Sequence, residues 1–224
     1  MKISLTKAGK RFNRDWIFRN LSYEFTAGNA YAIVGPNGSG KSTLLQAIGG
    51  ALMLSEGNVA VSCELAANSH KLAARSNKPA ADSYKLEPED LYRSMAIAAP
   101  YLELIEELSV TELLTFHQQF KPFLPQVSIS DIIRIVGLEK AAHKQIRYYS
   151  SGMKQRVKLA QAIFSDVPLL LLDEPCTNLD AEGIQLYQQL INDYCLQRLV
   201  IVSSNDLAEY GFCNLKVNIQ DYKR

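Results

Sequence analysis

The run Gly35-Pro36-Asn37-Gly38-Ser39-Gly40-Lys41-Ser42-Thr43 restricts this chain more than any other stretch, because it fills every fixed position of G-x-x-x-x-G-K-[ST]. Residues 30–34 before it are apolar and strand-sized, and residues 43–48 after it have helical character. The strand–loop–helix setting that such a loop needs is therefore present. Glycines at this spacing let the backbone wrap closely round a phosphate, with successive N–H groups turned inward and a helix dipole behind them. In that arrangement Lys41 neutralises β- and γ-phosphates, Ser42 holds Mg²⁺ and Thr43 reaches the α-phosphate. A plain glycine-rich turn with a surface lysine is the alternative, and it leaves the completeness of the pattern unexplained.

A second run, Leu169-Leu170-Leu171-Leu172-Asp173-Glu174-Pro175, is an apolar strand ending in two acids. Parallel sheets bind ligands at the carboxyl ends of their strands. There Asp173 would orient the Mg²⁺ shell and Glu174 would polarise an attacking water as general base. Continuous apolar runs at 169–172 and 199–203, with a helical pattern at 184–194 between them, predict a parallel sheet buried on both faces. Residues 2–7 and 21–25 alternate instead, as in a sheet with one buried face. From residue 103 to about 142 the pattern turns helical, interrupted at Pro122 and Pro125. Hydrophobic residues make up 47% of the 224, enough for a large core. The stretch 63–90, rich in Ala, Ser, Asn and Lys, reads as an exposed excursion of weak structure.

Between these motifs, Tyr149-Ser150-Ser151-Gly152-Met153-Lys154-Gln155-Arg156-Val157 resembles the ABC signature, ordinarily L-S-G-G-Q followed by K/R-Q-R. It stands shortly before the acidic strand, as in that family, and Asn178-Leu179-Asp180 corresponds to the D-loop. The resemblance to ABC ATPases covers nearly the whole chain. It implies an α/β P-loop NTPase fold of ABC type, with a mainly parallel core sheet, an antiparallel β subdomain and a helical subdomain. Residues 1–224 would then form a single domain, with 1–98 and 149–224 as core and β subdomain and 99–148 as the helical part. It also implies ATP and Mg²⁺ as cofactors, and a head-to-tail homodimer or heterodimer that sandwiches two ATP molecules. Ser150 would donate to a γ-phosphate oxygen of the opposing subunit, and Ser151 and Gly152 would allow close backbone approach. From the amino-terminal region an aromatic residue would stack on adenine, with Phe12 at the usual place and Trp16 as competitor.

The chain departs from the family pattern at several points. Tyr149, Ser151 and Met153 replace Leu, Gly and Gln of the signature, and serine at the glycine position costs conformational freedom if φ is positive there. Where a glutamine is usual, Pro100 aligns, with Tyr101 and Glu103 as neighbouring possibilities. Asn205, in Val202-Ser203-Ser204-Asn205-Asp206, stands where a histidine is usual. Asparagine donates a neutral hydrogen bond but carries no positive charge. Hydrolysis through Glu174 and Asn205 is the expectation, with a slow ATPase or a non-hydrolysing ATP-gated clamp as the alternative.

A net charge of +1, from 24 basic and 23 acidic residues, argues against a dedicated nucleic-acid binder. Four dispersed cysteines without a CxxC pair read as reduced thiols, and His70, His117 and His143 as surface or cap residues without metal spacing. There is neither a signal-peptide pattern nor a membrane-spanning apolar run. The expectation is a cytoplasmic protein, peripheral on the membrane through an integral membrane permease. The segment 100–107, mixing acids with apolar residues, is the candidate permease contact. A soluble ABC ATPase acting on ribosomes or DNA is the competing class.

Overall fold

The computed structural model describes residues 1–64, 83–86 and 91–223. The described chain begins with three strands, β1 (Lys2–Phe12), β2 (Asp15–Thr26) and β3 (Ala30–Val34), followed by helix α1 (Lys41–Ile48). Strands β4 (Glu56–Glu64), β5 (Ser83–Leu86) and β6 (Met95–Ala98) precede helices α2 (Val110–Phe120), α3 (Ile129–Ile135) and α4 (Ser151–Phe164). Strand β7 (Leu169–Asp173), helix α5 (Ala181–Tyr194), strand β8 (Leu199–Ser203), the short helix α6 (Leu207–Tyr210) and strand β9 (Leu215–Asn218) complete it.

Two sheets result. Strands β6-β7-β8-β3-β9 form a wholly parallel sheet, and β2-β1-β4-β5 an antiparallel one. Every residue of β7 and β8 is buried. Side chains alternate across a strand, so each of these strands feeds two cores. Leu170, Leu172, Val200 and Val202 join residues of α2, α3, α4 and α5 on one face. On the other face Leu169, Leu171, Leu199 and Ile201 pack with Leu44, Leu45 and Ile48 of α1 and with Ile3, Leu5, Phe18 and Phe25 of the antiparallel sheet. A large side chain fully buried in this way contributes about 1.5–3 kcal/mol. This two-sided demand is why the sequence there is continuously apolar.

The helices on the first face start where local chemistry starts them. Ser109 and Glu112 close a reciprocal capping box at the head of α2, and Ser128 and Asp131 do so for α3. The expected helical character from residue 103 is therefore corrected: α2 begins only at Val110. Residues 101–108 alternate between exposed and half-buried instead. This segment and the Pro100 before it are pinned to α4 by Lys154 Nζ on Glu106 Oε1 at 2.6 Å and by Lys158 Nζ on the Pro100 carbonyl at 2.9 Å.

The excursion expected at 63–90 needs revision at its ends. Cys63 and Glu64 continue β4, and Ser83–Leu86 pairs with it in antiparallel register, Val61 opposite Leu86 and Glu64 opposite Ser83. Backbone pairing gives the edge of β4 a partner there, which composition does not advertise. Residues 65–82 and 87–90 of that stretch, His70 among them, lie outside the described residues. Among those described, no helix is long and apolar enough to cross a membrane. Among the described side chains, Cys176 and Cys195 are buried free thiols and Cys213 is a half-buried one.

His143 is exposed, but His117 is not the surface or cap residue expected. It is half-buried under α4, where Nε2 lies 2.9 Å from Ser165 Oγ, Nδ1 lies 3.4 Å from Gln161 Nε2, and the ring stacks on Phe123. Burial, aided by the charge of Lys121, pushes its pKa down to about 4. Between the ordinary histidine value and that one, the unfolded chain binds a proton that the folded chain does not. The stabilisation from neutral His117 is therefore complete above about pH 6.5 and is lost as pH falls towards 4. Replacing it by Asn should lower Tm at pH 7.5 and shrink that difference steadily down to pH 4.5. A Tm difference independent of pH would refute the assignment.

Candidate functional site

At the carboxyl edge of the parallel sheet, β3 leaves at Val34 into the glycine loop. Gly35, Gly38 and Gly40 have φ of 150°, 72° and 103°, values that side chains disfavour. A Cβ on Gly35 would also lie 2.8 Å from Ile219 Cγ2 and 2.9 Å from Ser39 Oγ, and one on Gly40 would collide with Ile17 Cγ2. The loop is thus folded tightly beneath β2 and the carboxyl-terminal turn. Lys41 is 4% exposed, and its Nζ donates to the carbonyls of Gly35 at 2.9 Å and Pro36 at 3.3 Å, not to a carboxylate. Ser39 Oγ is buried with no hydrogen-bond partner. A buried ammonium resting on carbonyls, an orphaned hydroxyl and the first turn of α1 together fit a polyphosphate.

Ser42, on that first turn, donates from Oγ to Asp173 Oδ1 at 3.0 Å. Asp173 ends β7 and is 2% exposed. Burial raises its pKa, Glu174 adds to the rise, and the Ser42 hydrogen bond and the Lys41 charge oppose it. Among the described residues no group of three or more His, Cys, Asp and Glu could hold a metal by itself. One hydroxyl and one carboxylate fit a divalent ion whose remaining ligands are phosphate oxygens and water.

Glu174 follows at φ 42°, a left-handed backbone that costs a non-glycine residue on the order of 1–3 kcal/mol. Its N–H donates to the Ser203 carbonyl at 2.9 Å and its carbonyl accepts from Thr177 N–H at 3.1 Å. Asn205, beyond the neighbouring strand β8, donates from Nδ2 to Asn37 Oδ1 of the glycine loop at 2.6 Å. The structure therefore brings Asn205, Lys41, Ser42, Asp173 and Glu174 to one edge, although 131 residues separate Ser42 from Asp173.

The signature stretch sits elsewhere. Ser150 caps α4 by accepting from Met153 N–H at 3.2 Å, and Ser151 is not among the residues of positive φ, so serine carries no backbone penalty there. A Cβ on Gly152 would come within 3.0 Å of the Asn178 carbonyl. Tyr149, where the pattern expects Leu, is buried and donates its hydroxyl to the Ala141 carbonyl at 2.7 Å. Among the described residues no hydrogen bond or ion pair joins Ser150, Ser151 or Gly152 to the glycine loop.

Two ambiguities are narrowed by packing. Phe12 is about half exposed, with only the Lys10 ammonium over its ring at 5.0 Å. Trp16 is flanked by the guanidinium groups of Arg19 and Arg11 at 4.5 and 5.6 Å and packs on Gly9. Phe12 is the ring with a free face. Of the three residues at the usual glutamine position, Tyr101 is the one whose pKa burial raises, with the Gln46 side chain close by and the charge of Asp173 adding to the rise. Gln46 stands one turn beyond Ser42 on α1. The Pro100 carbonyl and Glu103 instead face Lys158.

This geometry agrees with comparisons to known proteins. The profile of the ABC transporter family matches residues 18–177, well over half of the chain. The chain belongs to the ABC transporter family. Within it the chain is an ATP-binding subunit, and ATP hydrolysis is general to such ATPases. It is 32% identical over 171 residues to the cytochrome c biogenesis ATP-binding export protein CcmA of Xylella fastidiosa (strain 9a5c), covering 76% of this chain and 68% of that one. To the protein of the same name in Rhizobium meliloti (strain 1021) it is 29% identical over 219 residues, 96% of each chain. The dimeric structure of a bacterial ABC transporter cassette superposes with a TM-score of 0.75 at 22% identity, over 99% of this chain and 97% of that one, which shows the fold.

Sequence reasoning missed Gln155, whose buried Nε2 donates to the Pro175 carbonyl at 2.7 Å, and Ile17, which packs over Gly40. Gln155 could have been found, since it falls inside the signature stretch. Ile17 carries no sequence signal of this contact. Gly40 and Gly38 test the packing directly. Gly38→Ala meets only its backbone cost, about 1–2 kcal/mol, because nothing lies within 4 Å of the new Cβ. Gly40→Ala should cost about 1–3 kcal/mol more through the clash with Ile17, read as a lower urea midpoint. Equal losses would show that Ile17 does not shape the loop.

Proposed function

We propose that this ATP-binding subunit hydrolyses ATP slowly, with Mg²⁺, in a head-to-tail dimer whose opening and closing drives a membrane permease. The observation that carries the reading is the Ser42–Asp173 hydrogen bond, which sets the glycine loop against the acidic strand end with Glu174 beside it.

In this reading the N–H groups of residues 35–43 and the Lys41 ammonium bind the phosphates, with Thr43 at the α-phosphate. Ser42 and Asp173 hold Mg²⁺, which when bound draws charge from the phosphate oxygens. The Glu174 carboxylate accepts a proton from the attacking water. Asn205 donates to a γ-phosphate oxygen, for which it must exchange its bond to Asn37. Phe12 stacks on adenine. Ser150, Ser151 and Gly152 serve the phosphates of the second subunit, which agrees with their separation from the loop of their own chain. Residues 99–148 form the helical lobe, and 1–98 with 149–224 the remainder. The pinned segment 100–107, with Tyr101 turned towards Asp173, is suited to pass movement from the site to a permease on the cytoplasmic face. Relatives named as export proteins favour an outward direction.

A neutral Asn205 in place of an imidazole is the reason for slow turnover, since one positioned donor is worth on the order of 10²–10³ in rate. Steady-state phosphate release by the native protein should exceed that of Glu174→Gln by roughly 10²–10⁴, the range expected of a general base. Indistinguishable rates would refute hydrolysis through Glu174 and leave the ATP-gated clamp. Asn205→His should raise the native rate while leaving the affinity for ATP nearly unchanged. A fall in rate would mean that asparagine is the group this site is built around.

A further inference from the structure

Among the described residues only two carboxylates are buried, Asp173 and Glu209. The first belongs to the site already described. Glu209 lies on the short helix α6, just beyond Asn205, and is 5% exposed. Its Oε1 accepts from the Cys176 N–H at 2.7 Å, and the Ser204 side chain lies beside the carboxylate. Removing a carboxylate from water costs several kcal/mol unless hydrogen bonds compensate. Burial accordingly raises its pKa, with the nearby charges of Asp206 and Glu174 adding to the rise.

The bond to Cys176 matters for position. Cys176 lies two residues after Glu174, in a turn whose ends, Glu174 and Asn178, are both left-handed at φ 42° and 67°. Such a backbone persists only where its surroundings over-determine it. One side of the turn is held by Gln155 of the signature helix on the Pro175 carbonyl, and the other by Glu209 on the Cys176 amide. Ser204 is 1% exposed, precedes Asn205, and its Oγ accepts from the Asp206 N–H at 2.8 Å. One carboxylate thus fastens the turn carrying Glu174 to the segment carrying Asn205.

We infer that Glu209 is a positioning residue for hydrolysis, setting the Glu174 carboxylate relative to Asn205 by holding the Cys176 amide from the helix that directly follows Asn205. This rests on the reading of Glu174 as the base. The helix that carries Glu209 is anchored separately, because Tyr187 donates its hydroxyl to the Glu209 carbonyl at 2.8 Å. Loss of that bond loosens α6 without touching the carboxylate.

The experiment compares native protein with Glu209→Ala, Glu209→Gln, Tyr187→Phe and Glu174→Gln, measuring kcat and KM for MgATP together with Tm. Glu209→Ala leaves the Cys176 amide unpaired and should lower kcat roughly ten- to a hundredfold, with KM little changed. Glu209→Gln keeps an acceptor for the Cys176 amide, so it should restore most of the rate. Tyr187→Phe should lower Tm and leave kcat near native. Should Glu209→Ala not fold, Glu209→Asp, which withdraws the carboxylate by one methylene, must show the kcat loss that Glu209→Gln lacks. The proposal is overturned if Glu209→Ala keeps native kcat, if Glu209→Gln is as slow as Ala, or if Tyr187→Phe loses kcat equally. A native rate for Glu174→Gln would instead sink the reading of Glu174, whereas an inactive Glu174→Gln beside a native Glu209→Ala would sink only the clamp.

Discussion

A serine on the first turn of α1 and an aspartate at the end of β7 meet through a single 3.0 Å hydrogen bond, and the candidate site is arranged round that contact. It holds only because both elements are fixed independently. Helix α1 is locked by Leu44, Leu45 and Ile48 against the same face of the sheet that receives Leu169 and Leu171. Strand β7 is paired on both sides, to β6 and β8, along its length. Rigid elements of this kind place side chains more narrowly than loops do. The Asp173 carboxyl can therefore stay buried, with a raised pKa, beside the Lys41 ammonium.

A second constraint acts on the turn after β7. Gln155, Glu209 and the backbone bond from Glu174 to Ser203 approach that turn from three elements: α4, α6 and the end of β8. The signature helix and the segment bearing Asn205 therefore share one turn. A displacement of α4, which is also pinned to Glu106 by Lys154 and to the Pro100 carbonyl by Lys158, would be felt at Glu174. This gives the site a physical connection to the surface where a membrane partner is proposed, through packed and hydrogen-bonded groups.

Legibility in the sequence followed the range of the interactions involved. Residues 35–43 could be read because phosphate loops need glycines and a lysine at fixed local spacing. The capping boxes at Ser109 and Ser128 are equally local, spanning four residues each. By contrast, the apolar periodicity from residue 103 ran ahead of α2, because periodicity does not reveal the turns and lysine contacts that hold residues 100–108 in irregular conformation. His117 was read as superficial because its partners, Ser165 and Gln161, come from α4 and the residue that follows it. Pairing of β5 with β4 was hidden for a similar reason: four residues of mixed polarity carry too short an alternation to stand out.

The sequence by itself determined the fold family, the phosphate loop and the acidic strand end, since each is a property of contiguous residues whose chemistry demands a fixed order. Tertiary structure decided what those residues face. It turned Tyr101 rather than Glu103 towards Asp173, left Phe12 rather than Trp16 with an open face, and set Asn205 against Asn37. It also buried Glu209 against the amide of Cys176. These relations depend on directions in space between elements far apart in the chain, and no local pattern encodes such a direction. The reason is that burial and hydrogen bonding are settled by which surfaces the two cores bring together.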